Sequence, residues 1–327
     1  MDLISALLLA TLLGMLPMVI FASLLTWFDR FEREPWPLLF AVFIWGFLIA
    51  SIAALILNTF FGASIFLLTG NENLAVGTTA VFFGPLTEET VKGFGVLMVF
   101  LFFRKEIDSI LDGIVYGGLV GFGFAAAENF IYVFSAYETN GPLGSIDIAV
   151  IRLLMVPFLH AMLTAIIGMG FAYASVGRGR YRATAPLLAY AASVSFHSLH
   201  NLLAIISSPF LVLASFLLNW SGFIAMILLL FYLMHNEGKR LRKYLEEEVG
   251  MGTITADQCS AVSSMRSQAA RKAMIPMGLS GRKKRFYDIC SRLAYEKHEL
   301  AVHGRSEETL QRIRELRRQA RSLGSES

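Results

Sequence analysis

Long hydrophobic stretches separated by short polar segments fill the first ~235 residues of the chain. A helix needs about 20 apolar residues to cross a bilayer, and seven stretches meet this length. They cover residues 3–28, 37–57, 76–103, 110–136, 150–174, 185–206 and 210–234. The pattern predicts an all-α, polytopic bundle of about seven transmembrane helices. Segment 58–69 is also apolar enough to be a re-entrant piece.

The hydrophobic pattern stops near residue 236, and the residues beyond carry most of the Lys and Arg. We therefore predict a transmembrane domain over residues 1–236 and a basic tail over residues 237–327. Residues 250–282 are rich in Ser, Gly and Met and are expected to form a linker. Residues 283–323 are predicted to form a helical hairpin, because Gly304 separates two amphipathic patterns there.

The charged residues between the spans predict which way the chain crosses the membrane. Basic residues follow the first, third, fifth and seventh spans, whereas the alternate connections (58–75, 137–149 and 207–209) contain none. Basic loops favour the cytoplasmic side, so we predict an outside N-terminus and a cytoplasmic tail. The basic residues are Arg30, Arg33, Arg104, Lys105, Arg178, Arg180, Arg182, Lys239, Arg240, Arg242 and Lys243.

The composition indicates a membrane protein rather than a soluble domain. Hydrophobic residues make up 55% of the chain and charged residues 16%, whereas soluble domains carry about 25% charged residues. Both cysteines, Cys259 and Cys290, lie in the tail without metal-ligand spacing, which indicates a reducing compartment. The tail has no aromatic residues interleaved with its charges, so we expect it to face solvent or anionic lipid and to bind no nucleic acid.

Three charged residues, Glu88, Glu89 and Lys92, interrupt the third span within one helical turn. A charge at the bilayer centre costs about 2.5–3.5 kcal/mol on insertion scales, and no water reaches the lipid core to solvate it. Adjacent carboxylates repel in a low dielectric, so one is expected to be neutral and the other ionised beside Lys92. General acid–base catalysis needs such a pair, although Lys92 could also form a purely structural ion pair.

Polar residues in three further spans fall at a similar depth. With a rise of about 1.5 Å per residue from the basic boundaries, most of them lie in the outer half of a hydrocarbon core of about 30 Å. Polar groups from four helices at one depth predict a single hydrated site. His200 is expected to be a bystander or a supporting group. The polar residues of these three further spans are Glu128, Asn129, His160, His197, His200 and Asn201.

Other residues of the spans have structural interpretations. Tyr116 and Arg152 lie nearer the bilayer ends, where anchoring or snorkelling explains them. Gly113, Gly117 and Gly121 recur at intervals of four, which lets a neighbouring helix approach closely. We expect this glycine stripe to pack the fourth helix against the helix that carries the acidic pair.

At these positions the chain resembles the PrsW family of intramembrane proteases. Residues 85–93, Pro-Leu-Thr-Glu-Glu-Thr-Val-Lys-Gly, are similar to the EExxK motif of that family, and residues 112–129 resemble its second motif. His160, with Thr164 and Gly168, is similar to the third motif, and His197 with Asn201 to the fourth. Residues 27–37 resemble the loop after the first helix, although 32–35 read Glu-Arg-Glu-Pro instead of the usual Glu-Pro-Glu-Pro. The family resembles in turn the larger group of CAAX-processing and bacteriocin-immunity membrane proteases.

The resemblance covers about residues 20–205 and implies an intramembrane endopeptidase of the bacterial cytoplasmic membrane. Its substrates would be single-pass regulators such as anti-sigma factors, cut near the extracytoplasmic face. Glu88 or Glu89 would be the general base that activates water, with His160 as its partner.

The resemblance also implies roles for the remaining polar groups. His197 and Asn201 would donate to the oxygen of the tetrahedral intermediate. Glu128 stands where the CAAX group has histidine and could protonate the leaving amine. Lys92, Asn129 and His200 would support these groups.

The sequence leaves the cofactor open. It contains no HExxH motif, so a zinc ion or another divalent metal would need His160, His197 and Glu128 from separate helices. We favour a metal-free glutamate mechanism over a metal-dependent one.

Two other functions are consistent with ionisable groups inside the membrane. A proton- or cation-coupled transporter would also place Glu, Lys and His there, but the sequence lacks the internal repeats that would favour one. A non-catalytic scaffold related to proteases is the second alternative. The substrate, the choice between Glu88 and Glu89, the role of the tail and the oligomeric state stay open.

Overall fold

The computed structural model describes residues 3–28, 34–177, 179–206, 208–264, 281–304 and 306–324. All regular elements in these ranges are helical, which confirms the predicted all-α class. The loop at 29–33 and the linker residues 265–280 lie outside the described residues. The described residues up to Leu228, apart from Phe28, form one compact unit, and those from Leu229 onward form a second.

Two long helical stretches open the first unit, and a π-helical turn interrupts each of them. The first comprises α1 (Leu3–Leu9), a π turn (Ala10–Met15) and α2 (Leu16–Leu25). The second comprises α3 (Trp36–Ile44), a π turn (Trp45–Ala50) and α4 (Ser51–Thr69). The helix therefore continues through residues 58–69, where the sequence predicts a loop or a re-entrant piece.

A third stretch carries the acidic pair. It comprises α5 (Glu72–Thr78), a π turn (Thr79–Phe83) and α6 (Gly84–Phe102). A short 3₁₀ turn (Arg104–Glu106) follows, and Ser109 and Asp112 then form a capping box that starts the next helix. The remaining helices are α7 (Ile110–Met155), α8 (Leu159–Val176), α9 (Ala185–Ile205) and α10 (Pro209–Gly250), the last of which continues into the second unit.

Four helical stretches in the described residues are long and apolar enough to cross a membrane. They are Leu3–Leu25, Trp36–Thr69, Ile110–Val176 and Pro209–Gly250. These helices make the first unit a bundle of membrane type. The count of seven spans and their orientation stay predictions.

Helix α7 is a hairpin rather than a single rod. Gly141 has a left-handed backbone (φ +70°), a conformation that favours glycine, and Pro142 follows it. The two limbs run back along each other, since Ser145 Oγ donates to the carbonyl oxygen of Val133 at 2.9 Å. The predicted loop over 137–149 is therefore wrong: these residues are helical on both sides of one sharp break.

The glycine stripe packs α7 against α8, the helix that carries His160. A Cβ atom on Gly117 would lie 2.3 Å from the carbonyl oxygen of Thr164, and one on Gly121 would lie 2.3 Å from that of His160. Gly113 faces Gly168 in the same way. The predicted partner, the helix with the acidic pair, is therefore wrong, because spacing identifies a small-residue face but not the helix opposite it.

The second unit has its own buried core. It contains the end of α10, α11 (Ala256–Ser263), α12 (Gly281–His303) and α13 (Glu307–Gly324). Helix α11 begins at the cap residue Thr255, so part of the predicted linker over 250–282 is folded. Both cysteines are buried in this core, and burial raises the pKa of the Cys290 thiol to about 12.

A buried ion-pair cluster joins α10 to α12 and α13. Glu248 is fully buried and accepts hydrogen bonds from Lys297 Nζ (2.8 Å) and from Nε and Nη2 of Arg317 (2.8 and 2.7 Å). Burial opposes ionisation of this carboxyl, but the hydrogen bonds from Arg317 and Lys297 outweigh it and hold the pKa of Glu248 below its usual value.

Glu248→Gln is expected to destabilise the second unit by about 1.5–3 kcal/mol, because charge-assisted hydrogen bonds from buried Lys297 and partly exposed Arg317 are lost. In the wild type, the contribution of Glu248 is fully present above the ordinary glutamate pKa of about 4.3. It is lost as the pH falls further, through the lower pKa of the folded state.

The two cysteines of the chain report on this unit, since both lie in its core. The measurement is their rate of reaction with 4,4′-dithiodipyridine, a reagent that works at acid pH. Labelling should be faster in Glu248→Gln than in the wild type at pH 7, and the two should converge at acid pH. Glu308→Gln removes an exposed carboxylate from α13 of the same unit and should leave the rate unchanged. Equal rates in all three proteins at pH 7 would contradict this prediction.

Candidate active site

Helix α6 places the acidic pair and Lys92 inside the bundle. Lys92 Nζ lies 2.5 Å from Glu89 Oε1, and both side chains are fully buried. Lys92 therefore pairs with Glu89 at i, i+3, although Glu88 is the residue at i, i+4. The ammonium group also lies 4.6 Å from the centre of the Phe124 ring, which adds a cation–π contact.

Glu89 is held by two groups from α9 as well. His197 Nδ1 lies 2.8 Å from Glu89 Oε1, and Ser193 Oγ donates to Glu89 Oε2 at 3.1 Å. Both carboxylate oxygens of Glu89 are thus hydrogen-bonded to protein side chains. A hydrogen bond from Nδ1–H to this carboxylate leaves the His197 Nε2 lone pair available on the other side of the ring.

Glu88 has one bound and one open oxygen. Asn58 Nδ2 donates to Glu88 Oε1 at 3.3 Å, and the Thr87 hydroxyl donates to Asn58 Oδ1, which fixes the orientation of the amide. Glu88 Oε2 is buried and has no hydrogen-bond partner among the described residues. It lies 3.9 Å from His197 Nε2.

His160 lies between Lys92 and Glu128. Its Nδ1 is 3.2 Å from Lys92 Nζ and its Nε2 is 2.8 Å from Glu128 Oε2. Because an ammonium group can only donate, Nδ1 is the acceptor and Nε2 carries the proton toward Glu128. The His160 and His197 rings meet edge to face, with centroids 5.3 Å apart.

Arg152 is part of this cluster, which corrects its interpretation as a snorkelling residue. Its guanidinium donates to both Glu128 and Asn129 and stacks 4.2 Å from the centre of the Tyr132 ring. The second limb of the α7 hairpin brings Arg152 back to Glu128, which the sequence could not show. Glu128 is 25% exposed and Arg152 14%, against 0% for Glu89, so the cluster is most open at Glu128.

His200 and Asn201 point to other partners. His200 Nδ1 contacts Ser215 Oγ (2.7 Å) and Asn219 Nδ2 (2.9 Å), so it joins α9 to α10 instead of supporting the acidic pair. Asn201 Nδ2 donates to the carbonyl oxygen of Ala80 at 2.7 Å. Ala80 lies in the third π turn, where the regular backbone hydrogen bonding is interrupted. The amide predicted as an oxyanion donor is thus engaged with the backbone.

Tyr116 also has a different environment from the predicted one. It is fully buried, and its hydroxyl donates to Glu34 Oε2. Glu34 belongs to the loop motif of the resemblance, so this hydrogen bond ties that loop to α7. Tyr116 is therefore a buried connection rather than an anchor at the membrane surface.

Glu88, His160 and His197 could hold a metal ion. One ligand atom from each lies within 4.8 Å of the others, and two imidazoles with one carboxylate match the donors of catalytic zinc sites. The open oxygen of Glu88 supports this fit. Both nitrogens of His160 are engaged, so ligation by His160 would exchange one of those contacts. Glu128, the predicted carboxylate ligand, pairs with Arg152 instead.

Sequence reasoning missed Asn58, Ser193 and Arg152. Asn58 lies in the segment predicted as a loop, and Ser193 is one helical turn before His197 on the face toward Glu89. The i, i+4 spacing of Ser193 and His197 was the available signal. Asn58 is a polar residue in a largely apolar stretch, and this was a weaker signal.

Comparison with known proteins identifies the family that this arrangement belongs to. A family model described as PrsW family intramembrane metalloprotease matches residues 34–234. The chain is 31% identical to Protease PrsW of Geobacillus kaustophilus (strain HTA426) over 166 residues, which are 49% of this chain and 66% of the relative.

Two further relatives carry the same name. Protease PrsW of Clostridioides difficile (strain 630) is 32% identical over 38% of this chain and 50% of its own. Protease PrsW of Bacillus subtilis (strain 168) is 32% identical over 34% of this chain and 46% of its own. These matches span between about half and two thirds of the relatives' length. No solved structure matches the chain.

Proposed function

The chain belongs to the PrsW family of intramembrane metalloproteases, and from this we propose that it is an endopeptidase that cuts membrane-anchored proteins within the bilayer. One observation carries the proposal: a buried carboxylate oxygen of Glu88 without a partner faces an imidazole inside an apolar helix bundle. A buried acceptor is normally satisfied, so an open one among ionisable groups suggests a site for water or substrate.

We assign the general base to Glu88 rather than Glu89. Both oxygens of Glu89 are occupied by Lys92, His197 and Ser193, whereas Glu88 Oε2 is open. At 3.9 Å, Glu88 Oε2 and His197 Nε2 are too far apart for a direct hydrogen bond but suitably spaced to share one water molecule. That water would give one proton to Glu88 as it attacks the scissile carbonyl carbon.

The other residues would orient the groups around the water and supply electrostatic stabilisation. Glu89 holds the His197 ring so that Nε2 faces the water, and Lys92 places a buried positive charge near the developing oxyanion. Glu128 is paired with Arg152 and is better suited to orient His160 than to act as an acid. The proton taken by Glu88 would then pass to the leaving amine.

A divalent ion held by Glu88, His160 and His197 would supply Lewis-acid polarisation of a carbonyl oxygen or of water. The family description names a metalloprotease, and the donor set fits one. Glu89 would hold the His197 ring in place in that case too, since ligating histidines usually donate their second nitrogen to a carboxylate.

We further propose that the chain lies in the bacterial cytoplasmic membrane with its basic tail in the cytoplasm, as the loop charges suggest. The site would then face the extracytoplasmic half of the bilayer. Single-pass regulatory proteins with an unwound segment at that depth are the proposed substrates.

The test is cleavage of a tagged single-pass protein by the purified full-length chain in lipid nanodiscs. We expect a fragment whose new terminus maps to the outer half of the substrate's membrane segment. Its formation should be lost in His160→Ala and kept in Glu138→Gln, which changes an exposed carboxylate outside the site. Fragments formed equally by the wild type and His160→Ala would refute the assignment. A chelator series on the same sample distinguishes metal-dependent from metal-free hydrolysis.

A further inference from the structure

The two limbs of the α7 hairpin enclose a cleft of about 440 Å³. This volume is within the range of ligand pockets, about 300–1,000 Å³. One wall comes from the first limb and the other from the second, on either side of the break at Gly141. The lining residues include Tyr132, Ser135 and Thr139 on one side and Leu143, Asp147 and Ile151 on the other.

The cleft adjoins the open end of the candidate active site through Tyr132. Tyr132 lines the cleft, and its ring stacks on the Arg152 guanidinium, which is paired with Glu128. Ile151, the residue before Arg152, lines the other wall. Since Glu128 is the most exposed acid of the cluster, a substrate chain that leaves the site on this side would pass Tyr132 and reach the cleft.

The chemistry of the lining suits an extended polypeptide. Hydroxyl and amide groups of Ser135, Thr139 and Asn140 can bond to peptide groups, and Leu143 and Ile148 offer apolar contacts. Asp147 is the one charged side chain in the lining. The lining contains no Lys or Arg, so Asp147 makes the charge of the cleft itself negative.

We propose that this cleft binds the substrate segment next to the scissile bond, as an extended peptide that carries a basic side chain opposite Asp147. The proposal rests on the proposed function and adds a binding groove and a charge preference to it. The α7 break creates the groove, because a continuous helix would have no second limb to form the opposite wall.

The test measures binding separately from cleavage. The probes are three fluorescent 12-residue peptides that differ only in two central residues: Lys-Lys, Gln-Gln or Glu-Glu. The protein is the full-length chain with Glu88→Gln, which keeps the peptide intact. We expect the Lys-Lys peptide to bind about three to five times more tightly than the Glu-Glu peptide, in the upper part of the range for exposed ion pairs. The preference should weaken at high salt.

Asp147→Lys is expected to reverse this order, so that the Glu-Glu peptide binds most tightly. Glu138→Lys makes the same charge change at an exposed position outside the lining and should leave the order as it is. Ser135→Trp fills the cleft from an exposed position and should weaken all three peptides at least tenfold, whereas Glu138→Trp should not.

An unchanged order in Asp147→Lys, or equal effects of Asp147→Lys and Glu138→Lys, would overturn the cleft proposal. Failure of the protease proposal has a different signature: the expected binding pattern would remain while the wild type leaves every membrane substrate uncut. The two proposals can therefore fail independently.

Discussion

Glu88→Gln is expected to lower kcat for peptide hydrolysis by about 10³-fold, within the range of 10²–10⁴ that a positioned general base contributes. The amide keeps the shape of the side chain and an oxygen that can accept from Asn58, but it cannot take a proton from water. The melting temperature in detergent should stay close to that of the wild type, because Glu88 makes no ion pair with Lys92. The measurement is the initial rate of fragment release together with a thermal unfolding curve.

Glu89→Gln is the informative comparison for this prediction. Glu89 is the partner of buried Lys92, so its replacement should lower both activity and thermal stability. A Glu88→Gln protein with near-normal turnover, beside a folded but inactive Glu89→Gln protein, would move the base to Glu89. The matched surface control is Glu138→Gln, which should behave as the wild type in both measurements.

Lys92→Met is expected to have the largest effect on stability. It leaves the Glu89 carboxylate buried without its cation, and breaking a buried ion pair in this way costs about 3–5 kcal/mol. A loss of that size should lower the melting temperature by on the order of 10 °C, using the scaling for domains of 150–250 residues. The measurement is thermal unfolding of the purified full-length chain in detergent.

The double variant Glu89→Gln with Lys92→Met separates charge from packing. Replacement of both partners by neutral groups of similar size is often close to neutral for stability, so the double variant should melt well above Lys92→Met while staying inactive. Lys105→Met, at an exposed position after α6, controls for loss of a lysine. If the double variant melts no higher than Lys92→Met, the buried pair is not the cause of the instability.

The residues of the candidate site could be predicted from the sequence, because a charged side chain is costly inside a bilayer and is therefore rare there unless it has a function. Glu88, Glu89, Lys92, Glu128 and the two histidines stand out against apolar helices, and a rise of about 1.5 Å per residue puts them at one depth. The structure brings these residues together. The all-helical class could be predicted for a related reason. In lipid, a helix forms all the hydrogen bonds of its backbone within itself.

The connections within the site could not be predicted, because spacing along one helix does not identify the neighbouring helix. Arg152 reaches Glu128 only because Gly141 turns α7 back on itself. Asn58 reaches Glu88 from a helix that continues past the expected span. His197 and Asn201 share a face by spacing, yet they bind a carboxylate and a backbone carbonyl at different heights.

The π turn at Thr79–Phe83 makes the number of residues in this region as important as their identity. A π turn accommodates an additional residue relative to the α-helix, and each residue of an α-helix advances the chain by about 100°. Loss of one residue here would let the turn become α-helical with α5 and α6 facing nearly as before, whereas gain of a further residue would exceed what the turn absorbs and rotate α5 relative to α6. Single-residue deletions in this stretch should therefore be tolerated more readily than single-residue insertions, which would misalign Glu88 from the groups around it.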